Sequence, residues 1–126
     1  MNDTVQEARR YLSNAKEILS EKARKEGNYY QDIKYVKLAG HAAYSGVLVA
    51  LDGILGKKHG RKSVEWYQVQ LGKIDKKALT AFNSVYKILH LSMAYDGIEL
   101  ASVSKDGLKQ AEALIAWAEN RTPAAA

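Results

Sequence analysis

Three histidines, His41, His59 and His90, are the side chains in this 126-residue sequence best suited to binding a metal or moving a proton near neutral pH. A metal centre in a helical bundle wants Glu-x-x-His on two helices. Leu38 and Lys87 occupy the places where glutamates would precede His41 and His90. There is no cysteine, which removes thiolate metal sites, disulfides and cysteine nucleophiles together. The serines and threonines lack the strand–turn–helix elbow that exposes a nucleophile. Asp52, Asp96 and Glu99 each fall near an expected helix end, and no spacing pairs two carboxylates. Gly56-Lys57-Lys58-His59-Gly60-Arg61-Lys62-Ser63 imitates a phosphate-binding loop. That loop needs four residues between its glycines, a lysine directly after the second, and a preceding strand. Here three residues intervene, Arg61 follows Gly60, and a helix precedes. The expectation is a chain with no catalytic residues, no metal and no cofactor.

Binding is the chemistry that survives. Lys57, Lys58, Arg61 and Lys62 form a basic loop that could hold RNA or an acidic partner, and they are the candidate anion-binding residues. Tyr29, Tyr30, Tyr35 and Tyr44 interleave with Lys34 and Lys37, a combination able to stack bases and hold phosphates. Acids are mixed with bases throughout, so nucleic acid is not the favoured partner. Tyr44, Trp66, Tyr67 and Tyr86 are the candidates for a self-association face. Each could equally be packed in the core.

These residues need elements to position them. The one proline, Pro123, is in the tail, so long uninterrupted helices are permitted. A first helix is expected from about Thr4 to Glu26, with Val5, Ala8, Leu12, Ala15 and Leu19 on one face and Gly27 ending it. A second runs from near Tyr30 to Leu55 or Gly56. Its stripe of Ile33, Val36, Gly40, Ala43, Val47, Ala50 and Ile54, flanked by Tyr44, Leu48, Leu51 and Leu55, makes it the central helix. Ser63 caps a short third helix to Leu71, which Gly72 ends. Asp75 caps a fourth, reaching about Tyr95, with Ala78, Phe82, Val85 and Leu89 inward. Asp96-Gly97 turns the chain. Ser104 caps the last helix, which carries Leu108, Ala111, Ile115 and Ala118 to about Asn120. No alternating strand pattern is evident. The expected fold is all-α: an antiparallel four-helix up-and-down bundle with one additional short helix, a single domain over 1–126, frayed from about residue 121.

The composition fits that class. Hydrophobic content of 47% excludes a wholly disordered chain, and a net charge of +5 is ordinary for a soluble surface. The nearly uncharged stretch from Leu38 to Leu51 is shorter than the roughly 20 residues a membrane span requires. No signal segment is visible, so a cytoplasmic location without membrane attachment is expected.

The order of features resembles the HEPN-like helical domains. Ala8-Arg9-Arg10-Tyr11-Leu12-Ser13-Asn14-Ala15-Lys16-Glu17-Ile18-Leu19 is similar to their first helix. Tyr30-Gln31-Asp32, followed by His41-Ala42-Ala43-Tyr44-Ser45-Gly46-Val47-Leu48, is similar to their tyrosine entry and small-residue core helix. The resemblance implies a four- or five-helix antiparallel bundle, often a homodimer, and in some members a partner protein encoded nearby. Nuclease members carry an Arg four to six residues before a His. Ser84, Val85 and Tyr86 stand at those distances before His90, and His41 and His59 also lack the arginine. The resemblance therefore implies a non-enzymatic, self-associating interaction module. Its alternatives are a binder of RNA or an acidic partner through residues 57–62, and a ribonuclease with a divergent site at His90, Lys87 and Tyr86.

Overall fold

The computed structural model describes residues 3–56 and 62–121, and is 82% helical. Helix α1 (Asp3–Glu21) leads into a two-stranded antiparallel hairpin, β1 (Lys25–Glu26) and β2 (Tyr29–Tyr30). Then come α2 (Ile33–Leu55), α3 (Val64–Ile74) and α4 (Lys76–Val85), whose helix continues as a π-helical segment from Tyr86 to Tyr95. Helix α5 (Ala101–Arg121) closes the fold. α2 lies against α1, the π segment and α5, while α3 rests on α4.

The apolar stripes read from the sequence supply most of the core; at the ends of the α2 stripe Ile33 is 40% exposed and Ile54 half-buried. Val5, Ala8, Leu12, Ala15 and Leu19 of α1 are all buried. So are Ala78, Phe82, Val85 and Leu89 along α4 and its extension, and Leu108, Ala111, Ile115 and Ala118 of α5. α2 is long and apolar enough to cross a membrane by length and composition. Nine of its residues are instead buried against neighbouring helices, in keeping with its expected central place. Its glycines explain how neighbours come so close. A Cβ on Gly40 would stand 2.7 Å from the backbone nitrogen of Ala94 and from the carbonyl oxygen of Leu89. One on Gly46 would stand 2.8 Å from the carbonyl oxygen of Ala8.

Helix ends follow capping chemistry. Ser63 Oγ accepts from the Trp66 amide at 3.0 Å, as a cap should. Asp75 Oδ1 accepts from the Lys77 and Ala78 amides at 2.9 and 3.2 Å, while its Oδ2 accepts from the Trp117 indole at 3.0 Å. One carboxylate thus starts α4 and ties it to α5. The Ala78 amide, then the Trp117 indole, hold its carboxyl below the usual carboxylate range.

Several expected boundaries move. α1 stops at Glu21, five residues early, and the segment expected as its last turn and the following loop folds back as the hairpin. Gly27, with φ of +61°, does not end a helix; it occupies the first place of the two-residue turn between β1 and β2. A glycine there matches the right-handed twist of a short hairpin. Gly72 lies inside α3, which runs on to Ile74. α5 begins at Ala101, so Ser104 is no cap: it is fully buried and its Oγ has no hydrogen-bond partner among the described residues. A buried hydroxyl left unpaired costs about 1 kcal/mol or more. Ser104→Ala is therefore expected to stabilise the fold by about 1 kcal/mol, raising Tm by about 4 °C in a thermal melt followed by circular dichroism.

Candidate functional site

The aromatic residues expected at an interface mostly serve the protomer itself. Tyr44 and Tyr67 are 8% and 3% exposed, so they offer almost no area to a second copy. Trp66 and Tyr86 are half-buried. Gly40 brings α2 close to the π segment, within which His90 stacks on Tyr86 at 5.2 Å between centroids. Tyr44 closes the cluster at 5.0 Å from His90 and 5.9 Å from Tyr86. His90 is thus an aromatic packing partner. His41 is exposed on α2. Among the described residues no three metal-ligating side chains converge.

A second polar contact sits where α3 crosses the end of α2. The Tyr67 hydroxyl donates to Asp52 Oδ1 at 2.7 Å, and Lys62 Nζ approaches the same oxygen at 3.0 Å. Lys62 also lies 5.8 Å from the Trp66 ring centre. Of the expected basic loop, only Lys62 belongs to the described residues, and its charge is used within the protomer; Lys57, Lys58 and Arg61 lie outside them. Tyr35, one of the candidate stacking rings, has Lys34 at 5.0 Å and Lys22 at 5.7 Å.

Burial, then the neighbouring Tyr86, pushes the Tyr44 phenol up to about 12. Burial, then the hydrogen bond to Asp52, pushes Tyr67 higher still. Both groups are raised above the unfolded value of 10.0, so the stability they contribute is whole below that pH and is lost as pH climbs through the folded value. Alkaline titration of phenolate absorbance is expected to show Tyr44 and Tyr67 ionising last, merged with unfolding. Tyr44→Phe and Tyr67→Phe should each remove one of them.

The fold also builds a concave site from residues far apart in sequence. A groove of about 560 Å³ opens between α1, the hairpin and the first turn of α5. Lys16, Lys25 and Lys105 reach it from those three elements, and among the described residues no carboxylate lines it. Leu19, Leu108 and Tyr30 supply apolar wall, and burial raises the Tyr30 phenol above its ordinary value. Lys16 Nζ shares its charge with Glu112 at 3.3 Å, an exposed pair of small worth. Lys25 and Lys105 have no ion-pair partner among the described residues.

Backbone bonds fix the groove's shape. The Tyr30 amide donates to the Glu99 carbonyl at 2.8 Å, and the Ala101 amide donates to the Asn28 carbonyl at 2.9 Å. At the other side the Gln31 amide meets the carbonyls of Ala23 and Arg24. The hairpin is thereby strapped both to the end of α1 and to the start of α5. Arg24, with φ of +51°, makes the sharp exit from α1 that this requires.

Comparison with known proteins places almost the whole described chain in one family. The family described as a domain of unknown function (DUF5618) matches residues 3–120. The chain belongs to the DUF5618 family. A solved structure of a protein of unknown function from Dyadobacter fermentans is similar to it at 57% identity and a TM-score of 0.91. That match covers 94% of this chain and 96% of the other. No curated protein matches. The DUF5618 match begins with α1 and ends one residue short of the end of α5, so every helix that builds the groove lies within it. Neither comparison names a HEPN-like domain.

Proposed function

We propose that this DUF5618 chain is a non-enzymatic cytoplasmic binding module of HEPN-like type that receives an anionic partner in the groove between α1, the hairpin and α5. One observation carries the proposal: three lysines from separate elements converge on one hollow that, among the described residues, no carboxylate lines. In a concave, partly apolar setting such charges act on a ligand more strongly than on an open face. The anion site is thus moved from the loop 57–62 to Lys16, Lys25 and Lys105. The HEPN-like reading is supported by the burial of Ala8, Leu12, Ala15 and Leu19, the apolar positions of the quoted first-helix motif. On this reading α1, α2, α4 with its π extension, and α5 are the four long members of an antiparallel up-and-down bundle. α3 is the additional short helix. The absence of arginine at the required spacing before His90, and its packing between Tyr44 and Tyr86, speak against a divergent ribonuclease site there.

Heparin chromatography at low salt tests the anion site. The expected result is that Lys25→Ala/Lys105→Ala elutes at clearly lower salt, while Lys57→Ala/Lys58→Ala elutes close to the parent. Loss of retention only in the loop variant would return the anion site to residues 57–62.

A second reading, homodimerisation, is favoured by apolar side chains left outside the core. Tyr95 is 77% exposed, Leu38 49% and Leu91 39%. With Trp66 and Tyr86 they replace Tyr44 and Tyr67 as the available contact residues. Equilibrium sedimentation should show dimer at high micromolar concentration, and monomer alone would remove the dimer. A partner protein encoded nearby is part of the same reading, and co-purification from the native cell tests it.

A further inference from the structure

We infer that the groove is the binding site for a small amphipathic anion, a single carboxylate or phosphate head carried on an apolar body. The inference rests on the anion-site reading above and narrows it from any acidic partner to one ligand class. Size is the first argument. A volume of about 560 Å³ falls within the range of small-molecule sites, roughly 300–1,000 Å³. A nucleic-acid strand instead asks for a track of cations with stacking rings along it. Here the cations surround a single hollow, and Tyr30 is the one aromatic residue in its lining.

The distribution of chemistry within the groove is the second argument. Lys25, on the hairpin, and Lys105, one turn into α5, are free to meet the same head. Helix α5 adds its own field. The Ala101 amide is taken by Asn28 and the Val103 amide by Leu100, but the Ser102 amide and hydroxyl have no partner among the described residues. The positive end of a 21-residue helix, an open amide and two lysines therefore act at one mouth. Beneath them the half-buried Tyr30 ring, Ala101 and the aliphatic stems of the lysines present hydrocarbon rather than donors, backed by the buried Leu19 and Leu108. A head held only by charge would leave that apolar wall wet. A body of alkyl or aryl carbon would cover it and gain burial energy. Because backbone bonds already strap the hairpin to α5, little ordering is left for the ligand to impose.

Isothermal titration tests this with octyl phosphate, octanoate, octanol, inorganic phosphate and a short single-stranded RNA. Octyl phosphate and octanoate are expected to bind one per chain. Octanol and inorganic phosphate should each bind at least about tenfold more weakly, since each lacks half of the recognised chemistry. Lys25→Ala/Lys105→Ala, checked for native circular dichroism, should lose about tenfold in affinity for both amphipaths. Ser102→Glu is the complementary variant. An acid in the first turn suits the helix dipole, so the fold is kept while the incoming anion is repelled. Its octyl phosphate binding should disappear. Equal affinity for octanol and octyl phosphate, or no effect of either variant, would overturn the inference. RNA binding through Lys25 and Lys105 without octyl phosphate binding would also overturn it, while leaving the anion-site reading intact. If heparin retention ignores the groove lysines as well, both fall together. Flotation with phosphatidylglycerol vesicles through the same lysines would place the head in a bilayer and overturn a free ligand.

Discussion

Gly40→Val is expected to lower the unfolding free energy by about 3 kcal/mol, and Tm by about 10 °C. The cause is contact with two backbone atoms and a Cβ fixed to the backbone, none of which can swing aside. A Cβ at residue 40 would stand 2.7 Å from Ala94 N, 2.7 Å from Leu89 O and 2.7 Å from Met93 Cβ. A flexible side-chain end could swing away, but the π segment would have to shift as a body. That segment carries Tyr86 and His90, which pack on Tyr44 four residues further along α2. The substitution should therefore reach the aromatic cluster as well as the global stability. Near-ultraviolet circular dichroism should lose part of its tyrosine signal before the far-ultraviolet helical signal changes. Valine is a somewhat better helix former than glycine, so a gain of a few tenths of a kcal/mol works against the clash and leaves it dominant. A stable Gly40→Val protein with unchanged tyrosine dichroism would mean that α2 and the π segment are not held this closely.

Phe82→Ala should cost more, about 4 kcal/mol. Phe82 is 0% exposed and is the largest of the fully buried side chains. Its ring is 5.8 Å from that of Tyr67, which in turn meets Trp66 edge to face at 5.1 Å. Phe82 is thus, beside the buried Leu71, one of the core's holds on α3, an 11-residue helix too short to be stable without packing. Truncation leaves a cavity beneath Tyr67 and weakens the hydroxyl's hold on Asp52. Urea unfolding should show the lower midpoint, and hydrogen exchange should show α3 opening ahead of α1 and α5. Phe82→Leu, which keeps most of the volume, is expected to recover more than half of the loss. Equal protection of all helices in Phe82→Ala would contradict the dependence of α3 on this ring.

Much of this fold is written in sequence periodicity, because burial of one helical face imposes a three-and-four step that needs no knowledge of the partner. Leu12, Val47, Phe82 and Ile115 were each placed on an inward stripe and each is buried. Capping was legible for the same local reason: Ser63 and Asp75 hold amides two or three residues away. Long-range choices were not. Ser104 has the residue type of a cap, but the Asn28 carbonyl takes the Ala101 amide and α5 starts four residues earlier than a Ser104 cap would set it. The π-helical widening of residues 86–95 leaves the order of apolar residues unchanged, so nothing in the periodicity announces it. Tyr44 and Tyr67 could be assigned to a face but not to depth, which depends on how closely α2 and α3 approach α4.

The groove was missed because its three cations lie 9 and 80 residues apart in sequence, at positions 16, 25 and 105. One local signal did exist. Gly27-Asn28, between Lys25-Glu26 and Tyr29-Tyr30, has the glycine-first form of a two-residue hairpin turn. With α1 extended to Glu26, that signal was absorbed into a helix end and the hairpin wall disappeared. The loop 57–62 drew attention because its charges are contiguous, yet contiguity in sequence says little about convergence in space. Lys62 is turned to Asp52, whereas Lys25 and Lys105 line one groove from different elements.

Chemical-shift mapping is the most direct test that this groove is the working surface. Isotope-labelled protein would be titrated with octyl phosphate and its amide resonances followed. The expected result is a saturable set of shifts centred on Ser20, Asn28, Ser102 and Lys105, absent in Ser102→Glu. Shifts centred on Lys62 and the neighbouring loop, or none that saturate, would contradict it.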